Sequence, residues 1–227
     1  MAIKVLINGY KGKMGQAAVA AIQAAPDLKL VATIGREDNL SQSIEESGAE
    51  VVLDLTTASA AFKNTQVIIQ AGAHPVIGTS GLTPNEISNL KEQCKTKKLG
   101  GIITPNFSLG AILMMHYAAH AARFFSEAEI IELHHPQKKD APSGTAIKTA
   151  LAMQAARGND VIVPIHSIRL PGLVAHQSVM FGGVGETLTI RHDSLDRSCF
   201  MPGVLLACRK VTELHELIYG LDILLNL

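Results

Sequence analysis

Residues 132–146 read Glu132-Leu133-His134-His135-Pro136-Gln137-Lys138-Lys139-Asp140-Ala141-Pro142-Ser143-Gly144-Thr145-Ala146. Two adjacent imidazoles, two ammonium groups and a helix start share this short stretch. Like charges so close repel one another unless something anionic sits among them. Pro142-Ser143-Gly144-Thr145 predicts a turn and a helix N-terminus, with Ser143 as the N-cap and 145–157 helical. The unpaired N–H groups of a first helical turn form an anion site. His135 and the lysines complete a clamp for a carboxylate, which leaves His134 or Lys138 to handle a proton.

A second group of residues could hold a nucleotide. Ile3-Lys4-Val5-Leu6-Ile7 is a short β-branched apolar run, the pattern of a strand buried on both faces of a parallel sheet. It ends in Asn8-Gly9-Tyr10-Lys11-Gly12-Lys13-Met14-Gly15, and a helical pattern over 16–25 follows, closed by Pro26. Strand, glycine turn and helix arrive in the order a dinucleotide fold needs: Gly9 for the tight turn, Gly12 for the approach of pyrophosphate, Gly15 for close helix packing. A second strand is predicted over 28–34. At its end a site selective for NADH places an acid, whereas a 2′-phosphate wants an arginine; here the residues are Gly35-Arg36-Glu37-Asp38.

The loop over 132–146 resembles the signature of the dihydrodipicolinate reductase family of bacterial lysine biosynthesis, Glu-x-His-His-x-x-Lys-x-Asp-x-Pro-Ser-Gly-Thr-Ala, at every fixed position. The spacing G-x-x-G-x-x-G at Gly9, Gly12 and Gly15 is the form this family uses. Asp54-Leu55-Thr56 resembles its Asp-Phe-Ser/Thr segment, with Leu55 in place of Phe and Ala58 where a proline is usual. Gly78-Thr79-Ser80-Gly81 resembles its Gly-Thr-Thr-Gly, Thr104-Pro105-Asn106-Phe107-Ser108 its Ala-x-Asn-Phe-Ser, and 197–203 its Ser-Arg-x-x-Phe-x-x-Gly, with Asp196 at the usual Ser. The resemblance covers nearly the whole chain.

The fold implied is α/β: a Rossmann-like parallel sheet domain over 1–107, completed by a C-terminal segment from about 198 to 227. An α+β substrate and oligomerisation domain with a mixed sheet spans 108–197. The cofactor is NADPH or NADH, held by Gly9, Tyr10, Lys11, Gly12, Lys13, Met14, Arg36, Gly78, Thr79, Ser80, Thr104, Pro105, Asn106 and Phe107. Gly35 replaces the family's usual acid while Arg36 is kept, which tilts the choice toward NADPH, with Lys11 and Lys13 adding positive charge. The substrate implied is the cyclic dicarboxylate 4-hydroxy-tetrahydrodipicolinate, which loses water to give a conjugated imine. Hydride addition then builds negative charge that must meet a proton. His134 or Lys138 would answer it, while Gly144 and Thr145 grip one carboxylate beside His135. A homotetramer joined through the second domain's sheet is the family's usual assembly.

Between the landmarks, a long helix is predicted over 109–125, a strand over 127–133, and further strands over 161–170, 178–181 and 186–192. The stretch from the second strand to Val51 is short, so one element of the usual nucleotide domain is expected to be trimmed there. A helix is expected after Gly203, running through Lys210.

Composition narrows the function classes. The formal net charge of the 227 residues is zero and 47% are hydrophobic, so no global field exists to hold nucleic acid or an anionic membrane, and anion affinity must be local. Cys94, Cys199 and Cys208 are odd in number and lack metal or redox spacing, which points to a reducing cytoplasm. The chain runs directly into its first strand with no signal peptide pattern. The apolar window over 109–125 is interrupted by His116, His120 and Arg123, so a buried helix is expected there. His116 and His120 stand at i, i+4, but no HExxH glutamate or third ligand accompanies them, and no metal is expected. His74, His176 and His215 receive no assigned role. Two rival readings are an aspartate dehydrogenase-like reductase and a nucleotide-sensing binding protein. The first leaves the His-His-Lys loop unexplained; the second is expected to have lost the proton donors before the glycine turn.

Overall fold

The computed structural model describes residues 2–158 and 161–227. It divides into two compact units, Met1–Ser108 together with Phe200–Leu227, and Leu109–Cys199.

In the first unit, strands and helices alternate: β1 (Ile3–Asn8), α1 (Lys13–Ala24), β2 (Leu28–Ile34), α2 (Leu40–Ser47), β3 (Val51–Asp54), α3 (Ala58–Gln70), β4 (His74–Ile77), α4 (Pro84–Lys97) and β5 (Gly101–Ile103). The C-terminal stretch adds α7 (Met201–Lys210) and β10 (Leu217–Tyr219). All six strands are parallel, in the order β10-β5-β4-β3-β1-β2. This is the doubly wound arrangement, and the strand order reverses between β1 and β3. Val5, Leu6, Ile7, Val51, Val52, Leu53, Val76 and Ile77 are fully buried, which is why these strands read as unbroken apolar runs. Only α2, eight residues long, fills the short stretch between β2 and β3. Thr83 and Glu86 form a reciprocal capping box at the start of α4, with Pro84 in its first turn.

The second unit comprises α5 (Leu109–Ala121), β6 (Glu127–His134), α6 (Gly144–Arg157), β7 (Ile165–Arg169), β8 (Ala175–Gly183) and β9 (Glu186–Ser194). Its sheet has the order β7-β6-β8-β9. The β6–β7 pair is parallel and the other two are antiparallel, so the sheet is mixed. Met114, Ala118 and Ala122 from the α5 region and Ala146, Ala150 and Met153 from α6 pack on Ala128, Ile130, Val179 and Phe181. Along β6 the alternate residues Ala128, Ile130 and Glu132 are buried. The strand's period of two carries that face from apolar core to a carboxylate and then to His134.

Several boundaries differ from the sequence reading. Helix α1 starts at Lys13, three residues before the predicted Gln16, because Gly12 serves as an N-cap with no side chain to mark it. Helix α5 stops at Ala121, after which the chain turns and the ring of Phe125 comes to lie 5.5 Å from that of Phe181. Strand β7 occupies only part of the run over 161–170, and β8 and β9 extend beyond their predicted ends.

Helix α7 lies so close to the turn after β5 that a Cβ on Gly203 would stand 2.0 Å from the Phe107 carbonyl oxygen. Backbone cannot yield as a flexible side chain can. Gly203→Ala is expected to cost about 1–3 kcal/mol, seen as a lower thermal midpoint. Gly182→Ala, whose added methyl meets only the Glu127 Cβ at 4.0 Å, should stay within about 0.5 kcal/mol of the parent. Equal midpoints for the two variants would contradict this packing.

Candidate active site

The carboxyl ends of β1 and β3 meet at the reversal of strand order, where open α/β sheets bind ligands. Gly9 has φ +92°, and a Cβ there would lie 2.9 Å from the Leu55 carbonyl oxygen. Glycine is required on both counts. A Cβ on Gly15 would fall 2.3 Å from the Gly9 oxygen, so Gly15 lets α1 press on the turn itself. At Gly12 the added carbon would meet only the Gly9 oxygen, at 3.4 Å. The protein therefore leaves that side open, and Gly12 caps α1 with no side-chain hydrogen bond. Tyr10 and Lys11 complete the turn, with the Lys11 ammonium 5.8 Å from the centroid of the Tyr10 ring; Lys13 and Met14 begin the helix.

This turn is fastened by a carboxylate that the sequence marks as part of a family segment but gives no role. Asp54 is fully buried at the end of β3. Its oxygens accept from Asn8 Nδ2 at 3.1 Å, Asn64 Nδ2 at 2.7 Å, Thr56 N at 3.0 Å and Thr56 Oγ1 at 2.6 Å. A buried charge so supplied with donors is held in place. The turns after β4 and β5 also touch: a Cβ on Gly78 would come within 2.6 Å of the Phe107 ring. The Thr79 hydroxyl is buried without a hydrogen-bond partner, whereas Ser80 is exposed. Thr104 Oγ1 donates to the Asn106 carbonyl, and Asn106 Oδ1 accepts from Ser108 N, so Thr104 and Asn106 shape their own turn. Pro105 lies between them and Phe107 is buried. At the end of β2, Asp38 Oδ2 accepts the Gly35 N–H at 2.7 Å, and Arg36 is exposed. An orphaned hydroxyl and a glycine turn open at its middle position fit a dinucleotide.

In the second unit the His-His-Lys loop is organised by Glu132, which has no exposed surface. Arg169 meets it in a fork, Nη2 to Oε1 at 2.7 Å and Nη1 to Oε2 at 2.8 Å. Oε1 also accepts the Ser143 N–H at 3.1 Å, and Oε2 lies 2.5 Å from His134 Nδ1. Burial alone would raise the pKa of this carboxyl, but hydrogen bonds from Arg169, Ser167 and His134 outweigh it and hold the value at about 2. Burial pushes the His134 pKa below its usual value; the pull of Glu132 upward is offset by the nearby charges of Lys138 and Arg169.

Around that pair stand the other predicted residues. Lys138 Nζ donates to both oxygens of Asp140 at 2.8 Å. His135 Nδ1 lies 3.1 Å from Gln137 Oε1, and Lys139 is exposed. Ser143 caps α6, its hydroxyl accepting from the Ala146 N–H at 3.2 Å. That leaves the Gly144 and Thr145 N–H groups at the start of the helix without this cap, and no side chain or backbone lies within 4 Å of a Cβ placed on Gly144. Arg169 was missed by sequence reasoning, and Glu132 was noticed only as part of the motif. The one sequence signal available was the i, i+2 spacing of Glu132 and His134, which puts both on one face of a strand.

The remaining histidines and cysteines have structural surroundings. His176 Nδ1 pairs with Asp193 at 2.7 Å while its Nε2 accepts the Val174 N–H at 3.3 Å. His116 packs edge-on to Tyr117 and His120 against Phe124. Burial raises the thiol of Cys94 to about 11 and that of Cys208 to about 12.

The chain is similar to known proteins along nearly its whole length. A family model described as "Dihydrodipicolinate reductase, N-terminus" matches residues 3–107, and one described as "Dihydrodipicolinate reductase, C-terminus" matches residues 110–225. A 4-hydroxy-tetrahydrodipicolinate reductase of Coxiella burnetii is 54% identical, covering 99% of this chain and 100% of the relative. One of Legionella pneumophila is 51% identical over the same shares. Among solved structures, the dipicolinate-bound dihydrodipicolinate reductase of Paenisporosarcina sp. TG-14 superposes with a TM-score of 0.90 at 40% identity, covering 98% of this chain and 99% of that one. An amine dehydrogenase of Mycobacterium smegmatis, with a TM-score of 0.70 and 11% identity, covers 98% of this chain and 96% of its own and shares the fold alone. With both halves matched by the family's models and curated relatives similar over nearly its whole length, the chain belongs to the dihydrodipicolinate reductase family.

Proposed function

We propose that the chain reduces 4-hydroxy-tetrahydrodipicolinate to tetrahydrodipicolinate with a nicotinamide cofactor, as a step of diaminopimelate and lysine biosynthesis. The observation that carries this reading is His134, fixed through Nδ1 on a buried carboxylate that also receives the N–H of the helix cap. A proton-handling group and an anion-binding helix start are thereby held to one another. The solved relative contains dipicolinate, a flat ring with two carboxylates, which is the chemical class this arrangement suits.

Each residue then has a role. Gly144 and Thr145 grip one substrate carboxylate by N–H and hydroxyl, with His135 beside it. Lys138, ion-paired with Asp140, stabilises the negative charge that spreads over the ring, and His134 exchanges the proton. Gly9, Tyr10, Lys11, Gly12, Lys13 and Met14 hold the pyrophosphate, and the turns 78–80 and 104–107 the nicotinamide end. When bound, the reduced nicotinamide supplies hydride to the substrate ring. The preferred cofactor is NADPH: Asp38 is tied to its own turn, and exposed Arg36 offers a fork for a 2′-phosphate. The working assembly is a homotetramer formed through the outer face of the mixed sheet, where Met180 is 41% exposed, and the working compartment is the cytoplasm. No helix among the described residues is long and apolar enough to cross a membrane.

The test is turnover with substrate made in place from pyruvate and aspartate semialdehyde by the preceding synthase, followed by loss of reduced cofactor. Consumption with that substrate supports the reading; none with either cofactor would refute it. His134→Gln should lower kcat by roughly 10²–10⁴-fold with little change in cofactor affinity, and near-normal turnover would remove it from the chemistry. Thr145→Val should mainly raise KM for the substrate, whereas an unchanged KM would place the carboxylate elsewhere. Arg36→Ala should weaken NADPH by about tenfold more than NADH; equal losses would contradict the proposed preference.

A further inference from the structure

His134 has two nitrogens, and a proton donor works only if the right one faces the reaction. Nδ1 is committed to Glu132 Oε2. The four close contacts to the carboxylate from Arg169, Ser143 and His134 leave it surrounded by donors. Two of the donors belong to a guanidinium and one is a backbone N–H; neither can accept. The carboxylate is therefore an anion that only accepts, and the hydrogen on its axis to His134 must sit on Nδ1. Arg169 extends the same fixture, since Nη2 also donates to the Asp140 carbonyl at 2.9 Å and so ties down the loop that carries Lys138.

We propose that Glu132 and Arg169 are positioning residues that set both the tautomer and the charge of His134. Glu132 holds the proton on Nδ1, so Nε2 is the nitrogen presented for proton exchange. Arg169 opposes the carboxylate's charge and so weakens its pull on the imidazole toward the cationic form. On the reading given above, on which this inference rests, the imidazolium gives its Nε2 proton to the substrate atom left electron-rich by hydride. The N–H bond at Nε2 breaks, a new bond to that proton forms on the substrate, and His134 returns to the neutral Nδ1–H form before taking a proton from water. The charged groups facing His134 are Glu132 from β6, Arg169 from β7, and Lys138 and Asp140 from the loop. Their formal charges sum to zero, and removing either member of the pair unbalances them in opposite senses.

The experiment is a long-range proton–nitrogen NMR titration of histidine-labelled full-length protein, with steady-state kinetics on the same samples. Neutral His134 should show the Nδ1–H pattern; an Nε2–H pattern would overturn the proposal outright. In Glu132→Gln, which keeps an acceptor but loses the charge, the His134 titration should move down by about one pH unit or more. In Arg169→Gln it should move up, while Arg169→Lys should stay near the parent, as should the double variant with both glutamines. Shifts in the same direction, or none in folded Glu132→Gln, would also overturn it. If Arg169→Gln does not fold, the tautomer of the parent and the Glu132→Gln shift decide. Kinetically, Glu132→Gln should lower kcat by roughly 10–10²-fold with KM changed less than about threefold. Titrations as expected with kcat unaltered would leave the fixture standing and instead remove His134 from the proposed reaction.

Discussion

A carboxylate taken wholly out of water must be met by donors on every side, and Glu132 is such a group. Removing one member of a buried, hydrogen-bonded ion pair typically costs about 3–5 kcal/mol, because the other charge is stranded. That constraint accounts for much of the second unit. Arg169 must stand beside Glu132 and His134, which the parallel β6–β7 register supplies by pairing Glu132 with Ser167 and His134 with Arg169. The chain leaving β6 must return so that the Ser143 N–H reaches Oε1, and that return fixes where α6 begins. The imidazole proposed to handle the proton and the helix start proposed to bind the anion thus share one anchor.

The first unit solves its own positioning problem in the same way. Asp54 ends β3 fully buried and gathers donors from Asn8, Thr56 and Asn64, the last from α3. It locks the ends of β1 and β3 at the reversal of strand order, where Gly9 already passes so near the Leu55 carbonyl that no side chain fits. In both units a strand runs from apolar core to a buried carboxyl group near its carboxyl end, and the loop beyond carries residues proposed to bind or react. Flexible binding groups are thereby hung from rigid scaffolding.

Much of this was legible in the sequence because the periodicities are strong. The buried runs at Val5 to Ile7 and Val51 to Leu53 and the N-cap at Ser143 behave as their patterns imply, and Gly9 and Gly15 stand where no side chain fits. The misplaced boundaries have local causes: Gly12 caps α1 without a side chain to signal it, and α5 ends where Phe125 is drawn toward Phe181. What could not be read was long-range pairing. Glu132 and Arg169 are 37 positions apart, and Asn8 and Asp54 are 46. Nothing in the local pattern of any of the four names its partner; the strand register does.

The most direct measurement is a crystal structure of this protein with dipicolinate bound. The account predicts one carboxylate of the ring against the Gly144 and Thr145 N–H groups, with His134 turned so that Nε2 faces the ligand while Nδ1 stays on Glu132. A ligand seated away from the start of α6, or a His134 swung off Glu132 to meet it, would contradict the account.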